Sequence, residues 1–238
     1  MDMTAEAIRI KSLEDLIEKK RDRTVFLEHE VKGLLKGMGV PVPEGVFLGR
    51  DEIAAGLHAA MSSLKTLSYP LIAKVSSAKI TSKTDVHGVR AGINNENELV
   101  RSIQELSGIE GAEGVLVEEM APQGVEVIVG GIIDRQFGPV VMFGLGGIFV
   151  ELFKDVSFGL APLSEKDALR LIGEVKGYRL LEGFRGRPPV DINALSAVIV
   201  KASELTATGL IEEIDLNPVA VYSKGAMVLD AKISLRRQ

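Results

Sequence analysis

The sequence contains neither cysteine nor tryptophan among its 238 residues. Without cysteine there can be no disulfide framework, no thiolate nucleophile, no cysteine-ligated zinc and no iron–sulfur cluster. This absence excludes several enzyme classes and favours a cytoplasmic protein. A chain of this length typically buries roughly 70–75% of its unfolded surface, so it can fold around a core without such cross-links.

Positive charge is also scarce, because 28 Lys and Arg residues face 33 Asp and Glu residues and leave a net charge of −5. No overall positive field attracts nucleic acid or an anionic membrane, and we expect neither as a partner. No apolar run reaches the length of about 18 residues that a spanning helix needs. Glycine, with 25 residues, is the one excess. Because each glycine costs backbone entropy, we expect this excess at turns and close backbone approaches.

Helical and strand periodicities are mixed along the chain, and antiparallel hairpins follow one another in its second half. Two amphipathic helices are predicted before residue 37, and a third across 51–64. A buried strand at 71–75 precedes a polar loop at 76–87. The pattern predicts an α+β protein with mixed or antiparallel sheets in two lobes. These are residues 1–110, with the leading helices and the loop, and residues 111–238, with strands at 115–120, 125–133 and 138–143, helices from 164 and 191, and a hairpin turning at 223–225.

Lys74 interrupts the apolar run of the strand predicted at 71–75. A charge in such a strand costs free energy unless it is paired or faces a ligand. A bound phosphate would satisfy the ammonium group. A partner carboxylate, or a stem that carries the charge out to solvent, would do so equally well. From the residues alone, Lys74 is either a ligand-binding lysine or a structural one that is paired or reaches solvent.

Acidic residues lie at the ends of two neighbouring strands. Glu118 and Glu119 close the apolar strand GVLVEEM, and Glu126 lies in the next strand. Carboxylates in such positions can accept hydrogen bonds from an amino group or from ribose hydroxyls. Glutamates that flank strands are otherwise usually solvated.

The C-terminal hairpin carries a denser polar group. Asp215 and Asn217 alternate on one face of the strand IEEIDLNP, and Asp230 follows on the strand paired with it. Carboxylate and amide oxygens are ligands of Mg²⁺, whose shell is usually completed by phosphate oxygens. The alternative is a polar edge in which Asp230 pairs with Lys232 or Arg236.

Histidine is limited to three residues. His29 and His58 fall in predicted helices and are interpreted as structural. His87 ends the loop 76–87, where Lys79, Lys83 and Arg90 could clamp a phosphate. The glycine-rich stretch GLGG at 144–147 is not a P-loop, but its N–H groups could approach a phosphate.

Several of these features together resemble the beta subunit of ADP-forming acetate–CoA ligases, the NDP-forming acyl-CoA synthetases. The resemblance covers about the whole chain and rests on Lys74, TSKTDVHGV, Glu118, Glu126, DRQFGPVVMFGLGGIFVELFKDVSF and EIDLNP…VLDAK. It implies an ATP-grasp fold whose two lobes hold Mg-ATP or Mg-ADP. It also implies an alpha subunit that binds CoA, handles the carboxylic acid and carries a phosphohistidine, in an alpha2beta2 assembly.

The family's site residues map onto this sequence by position. Lys74 resembles the lysine that reaches the nucleotide phosphates, Glu118 the acid near adenine and Glu126 the acid near the ribose. The resemblance adds three residues to the nucleotide set and assigns two as magnesium ligands. The added residues are Glu119, Met120 and Asp215, and the magnesium ligands are Asn217 and Asp230.

The loop departs from the family at one position. Many members read H-K-[ST]-D-x-G-G-V, and the resemblance implies that this histidine carries phosphate from the alpha subunit toward ADP. Here Ser82 stands at that position, and a serine hydroxyl is a poor phosphoryl carrier without a base. Three explanations are open. His87 has taken over the role, phosphate passes directly from the alpha subunit, or Ser82 is an experimental change.

The leading functional hypothesis is therefore the nucleotide-binding subunit of an ADP-forming acid–CoA ligase. It would transfer a phosphoryl group between a phosphohistidine and ADP. A noncatalytic nucleotide-sensing or assembly subunit is the alternative from another class. A free-standing ATP-grasp carboxylate–amine ligase is a third reading, for which the chain shows no substrate-binding lobe.

Overall fold

The structure is a computed structural model that describes residues 13–20, 23–80, 82–147, 153–186 and 188–236, with only the backbone at 58 and 59. In chain order the helices are α1 (Glu28–Gly37), α2 (Arg50–Ala55), α3 (Leu57–Ser63), α4 (Glu96–Ser107), α5 (Glu165–Gly173) and α6 (Ile192–Ala207). The strands are β1 (Gly45–Gly49), β2 (Leu71–Ser76), β3 (Val89–Ile93), β4 (Gly114–Glu119), β5 (Val125–Asp134), β6 (Gly138–Leu145), β7 (Val156–Leu160), β8 (Ile211–Val221), β9 (Ala226–Val228) and β10 (Ala231–Leu235).

The chain folds into two compact units, as expected for an α+β protein of two lobes. The small unit comprises Leu27–His29 and Pro43–Pro122, and the large unit comprises Met1–Phe26, Glu30–Val42 and Gln123–Gln238. The chain thus leaves the small unit at Pro122 rather than near residue 110. The reason is that β4, which follows residue 110, is an inner strand of the small unit's sheet.

The small unit is built on an antiparallel sheet in the order β1-β4-β2-β3. One face packs into an apolar core, to which β2 contributes Leu71, Ala73 and Val75 and α4 contributes Leu99 and Ile103. Helix α4 begins where the Asn95 side chain accepts a hydrogen bond from the backbone of Glu98. This cap satisfies one of the donors that a helix N-terminus leaves without an intrahelical partner.

The large unit is built on a six-stranded antiparallel sheet in the order β10-β8-β5-β6-β7, with β9 paired to β8. Helices α5 and α6 pack against this sheet through an apolar core that includes Leu171, Ile199 and Phe143. Ser164 and Asp167 form a capping box at the start of α5. The Asp191 side chain caps α6 by accepting from the Ala194 N–H.

Two predicted elements differ from the structure. The helix expected over 51–64 divides into α2 and α3, because Gly56 adopts φ 159° and ψ 107°, outside the helical region. The last predicted strand divides into β9 and β10 around Leu229 and Asp230. Opposite them lies Pro218, which has no N–H to donate to a ladder.

The leading helices are covered in part. Of the helix predicted up to residue 20, residues 1–12 lie outside the described part of the chain, and 13–19 are helical. The second predicted helix is confirmed as α1. Within the described residues, no helix combines the length and apolarity needed to cross a membrane.

Candidate functional site

Lys74 lies on the face of the small sheet that points away from the apolar core. Its neighbours Ala73 and Val75 belong to that core, and strand alternation turns Lys74 to the other side. The Lys74 side chain is nevertheless only 8% exposed. A buried ammonium group requires compensating charge, and the structure supplies it from two carboxylates.

The Lys74 Nζ lies 2.7 Å from Glu28 Oε1 and 2.8 Å from Glu118 Oε2. Glu118 faces the same side as Lys74, because Lys74 pairs with Leu116 and Glu118 with Ile72 in the antiparallel register. Opposite Glu118 on β1 is Gly45, where a Cβ atom would come within 2.7 Å of Glu118 Cγ. Glycine at position 45 therefore leaves the space that the buried glutamate fills.

Glu28 also binds a second lysine, since its Oε2 lies 2.9 Å from Lys83 Nζ. We call Glu28, Lys74, Lys83 and Glu118 the lysine–carboxylate cluster. Its two positive and two negative charges cancel formally. Both glutamate side chains are at most 4% exposed, and Lys83 is 23% exposed. Such pairs are strongly coupled, because losing one member leaves its partner buried and uncompensated.

The cluster answers part of the question that the sequence left open at Lys74. The lysine is paired with carboxylates rather than carried out to solvent. Glu118 is buried rather than solvated. Sequence reasoning missed Glu28, because a glutamate in the first turn of an amphipathic helix is also what the helix dipole favours. Nothing local in the sequence shows that it reaches a strand 46 positions away.

Residues 82–88 of the predicted polar loop form a tight turn next to the cluster. Gly88 N–H donates to the Lys83 carbonyl at 2.6 Å, and His87 N–H donates to Thr84 at 3.0 Å. His87 is exposed and adopts φ 50°, and the Asp85 N–H donates to Ser82 Oγ at 3.4 Å. The loop backbone is therefore fixed by its own hydrogen bonds, while the His87 side chain faces solvent.

Two of the three basic residues proposed as phosphate clamps, Lys83 and Arg90, have side-chain partners in the protein. Lys83 is held by Glu28. Arg90 donates to the His87 carbonyl at 2.6 Å and pairs with Glu105 at 3.1 Å. Of the remaining histidines, His29 stacks on Phe47 with ring centroids 3.9 Å apart, which fits a structural role.

Glu119 and Met120 extend the end of β4. Glu119 accepts a hydrogen bond from the Ser68 N–H at 2.9 Å. Met120 is 44% exposed, and its N–H donates to the Pro70 carbonyl at 2.9 Å. This arrangement leaves an exposed thioether at the end of the strand, with its backbone fixed.

In the large unit, Glu126 is exposed at the start of β5 beside an open cavity of about 690 Å³. The cavity is also lined by Gly146, Gly147 and Arg185. Gly146 N–H donates to the Glu126 carbonyl at 2.9 Å, and a Cβ at Gly146 would lie 2.8 Å from that oxygen. This part of the glycine excess thus serves a close approach between two strands of the protein itself.

The residues predicted on the hairpin come together on the same sheet. On β8, Ile214 and Leu216 are buried, whereas Asp215 and Asn217 lie on the more exposed face. Asn217 N–H donates to the Asp230 carbonyl at 3.1 Å, so the two predicted magnesium ligands are neighbours. Lys232 stands opposite Asp215 in the register.

These oxygen donors do not form a complete cation cage alone. Among the described residues, no group of three or more His, Cys, Asp or Glu side chains is arranged to hold a metal ion. One carboxylate and one amide nevertheless fit Mg²⁺, which typically takes one or two protein oxygens and fills its shell with water and phosphate oxygens.

A family model described as ATP-grasp domain matches residues 18–235, so the chain is an ATP-grasp protein. The beta subunit of acetate–CoA ligase (ADP-forming) I from Pyrococcus furiosus is 40% identical, and the match covers 95% of this chain and 99% of that protein. The chain belongs to this family of ADP-forming acetate–CoA ligase beta subunits. The predicted family and fold class are confirmed.

Other relatives carry the same region within a longer chain. Acetate–CoA ligase (ADP-forming) II from Archaeoglobus fulgidus is 43% identical over 88% of this chain, which spans 30% of that protein's length. A solved structure from Ca. Korarchaeum cryptofilum is 41% identical, with a TM-score of 0.77 and coverage of 98% and 100% of the two chains. It is an acetyl-coenzyme A synthetase in complex with coenzyme A and Mg-AMPPCP, with its phosphohistidine segment pointing towards the nucleotide binding site.

Proposed function

We propose that this chain is the nucleotide-binding subunit of an ADP-forming acid–CoA ligase and acts with a separate alpha subunit. The overall reaction converts a carboxylic acid, CoA and ATP into acyl-CoA, ADP and phosphate. The observation that carries the proposal is the share of each relative's length that this chain covers. The match covers 99% of a protein named a beta subunit but only 30% of the longer acetate–CoA ligase (ADP-forming) II, whose name specifies no subunit. The remaining functions, CoA binding and acid selection, then belong to the partner.

The residue roles follow from the chemistry of each position. Lys74 would neutralise the nucleotide phosphates, and Asn217 and Asp230 would hold Mg²⁺. Glu118, Glu119, Met120, Glu126 and Asp215 would contact the nucleoside. The magnesium ion would screen the charge that moves between the phosphates during transfer. Because Lys74 already binds Glu28 and Glu118, phosphate oxygens must share or displace a carboxylate to reach it.

The phosphoryl carrier is the open step of this proposal. Ser82 stands where an imidazole is expected, and His87 lies five positions further along the same loop. His87 is our candidate carrier, supported by its exposed side chain within a turn that is closed by backbone hydrogen bonds. Direct transfer from the alpha subunit's phosphohistidine is the competing route.

Phosphopeptide mapping under conditions that spare acid-labile phosphate separates the two routes. The chain is incubated with the alpha subunit and ATP and then digested at neutral or alkaline pH. Label on the peptide containing His87 supports the carrier role. Turnover with label confined to the alpha subunit supports direct transfer and removes His87 from the site.

A noncatalytic nucleotide-sensing subunit is the second candidate, and Ser82 is the observation in its favour. Both candidates bind nucleotide, so binding alone does not separate them. We expect the complex of both subunits to release ADP only when acid and CoA are present. Nucleotide binding without such release would reject the ligase and favour the sensor. A panel of carboxylic acids in the same assay would define the substrate.

A further inference from the structure

The Glu28 carboxylate holds two lysines that come from different parts of the small unit. Its Oε1 lies 2.7 Å from Lys74 on β2, and its Oε2 lies 2.9 Å from Lys83 in the polar loop. The two oxygens thus contact different lysines. A single side chain therefore joins the strand that carries the candidate phosphate ligand to the loop that carries the candidate phosphoryl carrier.

Lys83 transmits this restraint to the loop backbone. Its carbonyl accepts the Gly88 N–H at 2.6 Å, which closes the turn that contains His87. Ser82, at the family's histidine position, directly precedes it. A Cβ at Gly88 would lie 3.0 Å from the Lys83 carbonyl oxygen and would also collide with Val75, so the turn has little room to shift while it stays closed. Holding the Lys83 ammonium group thus holds the whole turn.

Water can replace this contact only poorly, because the Glu28 side chain is 4% exposed. An ion pair in such surroundings is screened less by water and salt than one at the surface. Glu118 provides a natural comparison within the same cluster. It is equally buried and forms an ion pair with the same Lys74.

We propose that Glu28 is a positioning residue that fixes the loop 82–88 through Lys83 and orients Lys74 for phosphate. The role of this loop in phosphoryl transfer rests on the proposed function, whereas the restraint itself does not. When a phosphate compensates the positive charge of Lys74, the negative charge of Glu28 is no longer shared between two lysines. Glu28 then attracts Lys83 more strongly. Nucleotide at Lys74 therefore tightens the loop through Glu28.

Hydrogen exchange of the free chain tests the restraint. We expect Glu28→Gln to speed exchange of the 82–88 amides roughly tenfold or more, because the change breaks a buried ion pair. Lys83→Met should do the same, and the double variant should exchange no faster than either single variant. Glu118→Gln is the matched control, because it removes an equally buried carboxylate from Lys74 but leaves the Lys83 contact in place. Equal loop exchange in the Glu28 and Glu118 variants, or additive effects of Glu28→Gln and Lys83→Met, would overturn the proposal.

Kinetics of the two-subunit complex separate positioning from a general loss of structure. Glu28→Gln and Lys83→Met should lower kcat, while Glu118→Gln should mainly raise the KM for ADP through Lys74. Calorimetry with Mg-ADP then separates failure of the proposed nucleotide-binding function from failure of the positioning role of Glu28. Failure of the wild-type chain to bind Mg-ADP rejects the proposed function, whereas binding without a difference in kcat between the Glu28 and Glu118 variants rejects positioning. If Glu28→Gln does not fold, Lys83→Met alone decides, because an unchanged loop exchange rate in that variant excludes the restraint.

Discussion

The two sheets of this protein differ in how deeply the polar residues of the candidate site are buried. On the small sheet, the lysine–carboxylate cluster is buried and its charges are paired. On the large sheet, Glu126 and Asn217 are exposed, and Asp215 and Asp230 are partly exposed. Breaking a buried pair destabilises the fold as well as any ligand site, whereas acids nearer the surface can serve a ligand at smaller cost to the fold. Substitutions should therefore affect stability and activity together on the first sheet and separately on the second.

The largest effect is expected at Lys74. Lys74→Met leaves two buried carboxylates without their shared countercharge and should lower the free energy of unfolding by about 3–5 kcal/mol. Urea denaturation measures this change. In the double variant Lys74→Met/Glu118→Met much of the loss should return, because an apolar pair of similar volume often replaces a buried ion pair without penalty. A single variant within about 1 kcal/mol of wild type would contradict the cluster's structural role.

Asp230 should show the opposite behaviour. We expect Asp230→Asn to lower ATP formation by the two-subunit complex roughly a hundredfold or more, because it would remove the anionic member of the proposed magnesium pair. Its free energy of unfolding should stay within about 0.5 kcal/mol of wild type, as for most substitutions outside the core. Asp134→Asn is the control, since it makes the same charge change at another carboxylate of that sheet and should retain activity. Full activity of Asp230→Asn would remove this residue from the metal site.

The two sheets also differ in how much of the candidate site could be predicted from the sequence. The period-2 pattern of β8 places Asp215 and Asn217 on one face, and the glycine turn brings Asp230 beside them, so local rules are sufficient there. The cluster needs a contact between Glu28 and Lys74, 46 positions apart. No local pattern encodes such a contact, because it depends on how Leu27–His29 packs against the sheet within the small unit. The division of the predicted helix at Gly56 could not be predicted either, because glycine is tolerated inside many helices.

A smaller effect is expected where backbone meets the cluster. In Gly45→Ala, the new methyl carbon would lie 2.7 Å from Glu118 Cγ and 3.0 Å from the Val117 carbonyl oxygen. Relieving this overlap should cost about 1–3 kcal/mol in the free energy of unfolding and displace Glu118 from Lys74. Gly33→Ala is the matched control, because no atom lies within 4 Å of its Cβ. In a helix interior that change should stabilise the protein by roughly 0.5–1 kcal/mol. A loss of stability at Gly33 equal to that at Gly45 would show that the space around Glu118 is not what matters.

The smallest effect concerns a carboxylate of the large unit that lies outside the candidate site. Hydrogen bonds from the Ala194 and Gly225 N–H groups lower the pKa of Asp191 below its usual value. Asp191→Ala removes the cap of α6 and its link to the hairpin turn, and should lower the free energy of unfolding at pH 7 by about 1 kcal/mol. Because the folded-state pKa is the lower one, this stabilisation is complete above the unfolded pKa of about 3.9 and disappears as the pH falls through the folded value. The stability difference between wild type and Asp191→Ala should therefore narrow below about pH 4 in acid titrations followed by circular dichroism. A difference that stays constant to pH 2 would show that the cap does not depend on the ionised carboxylate of Asp191.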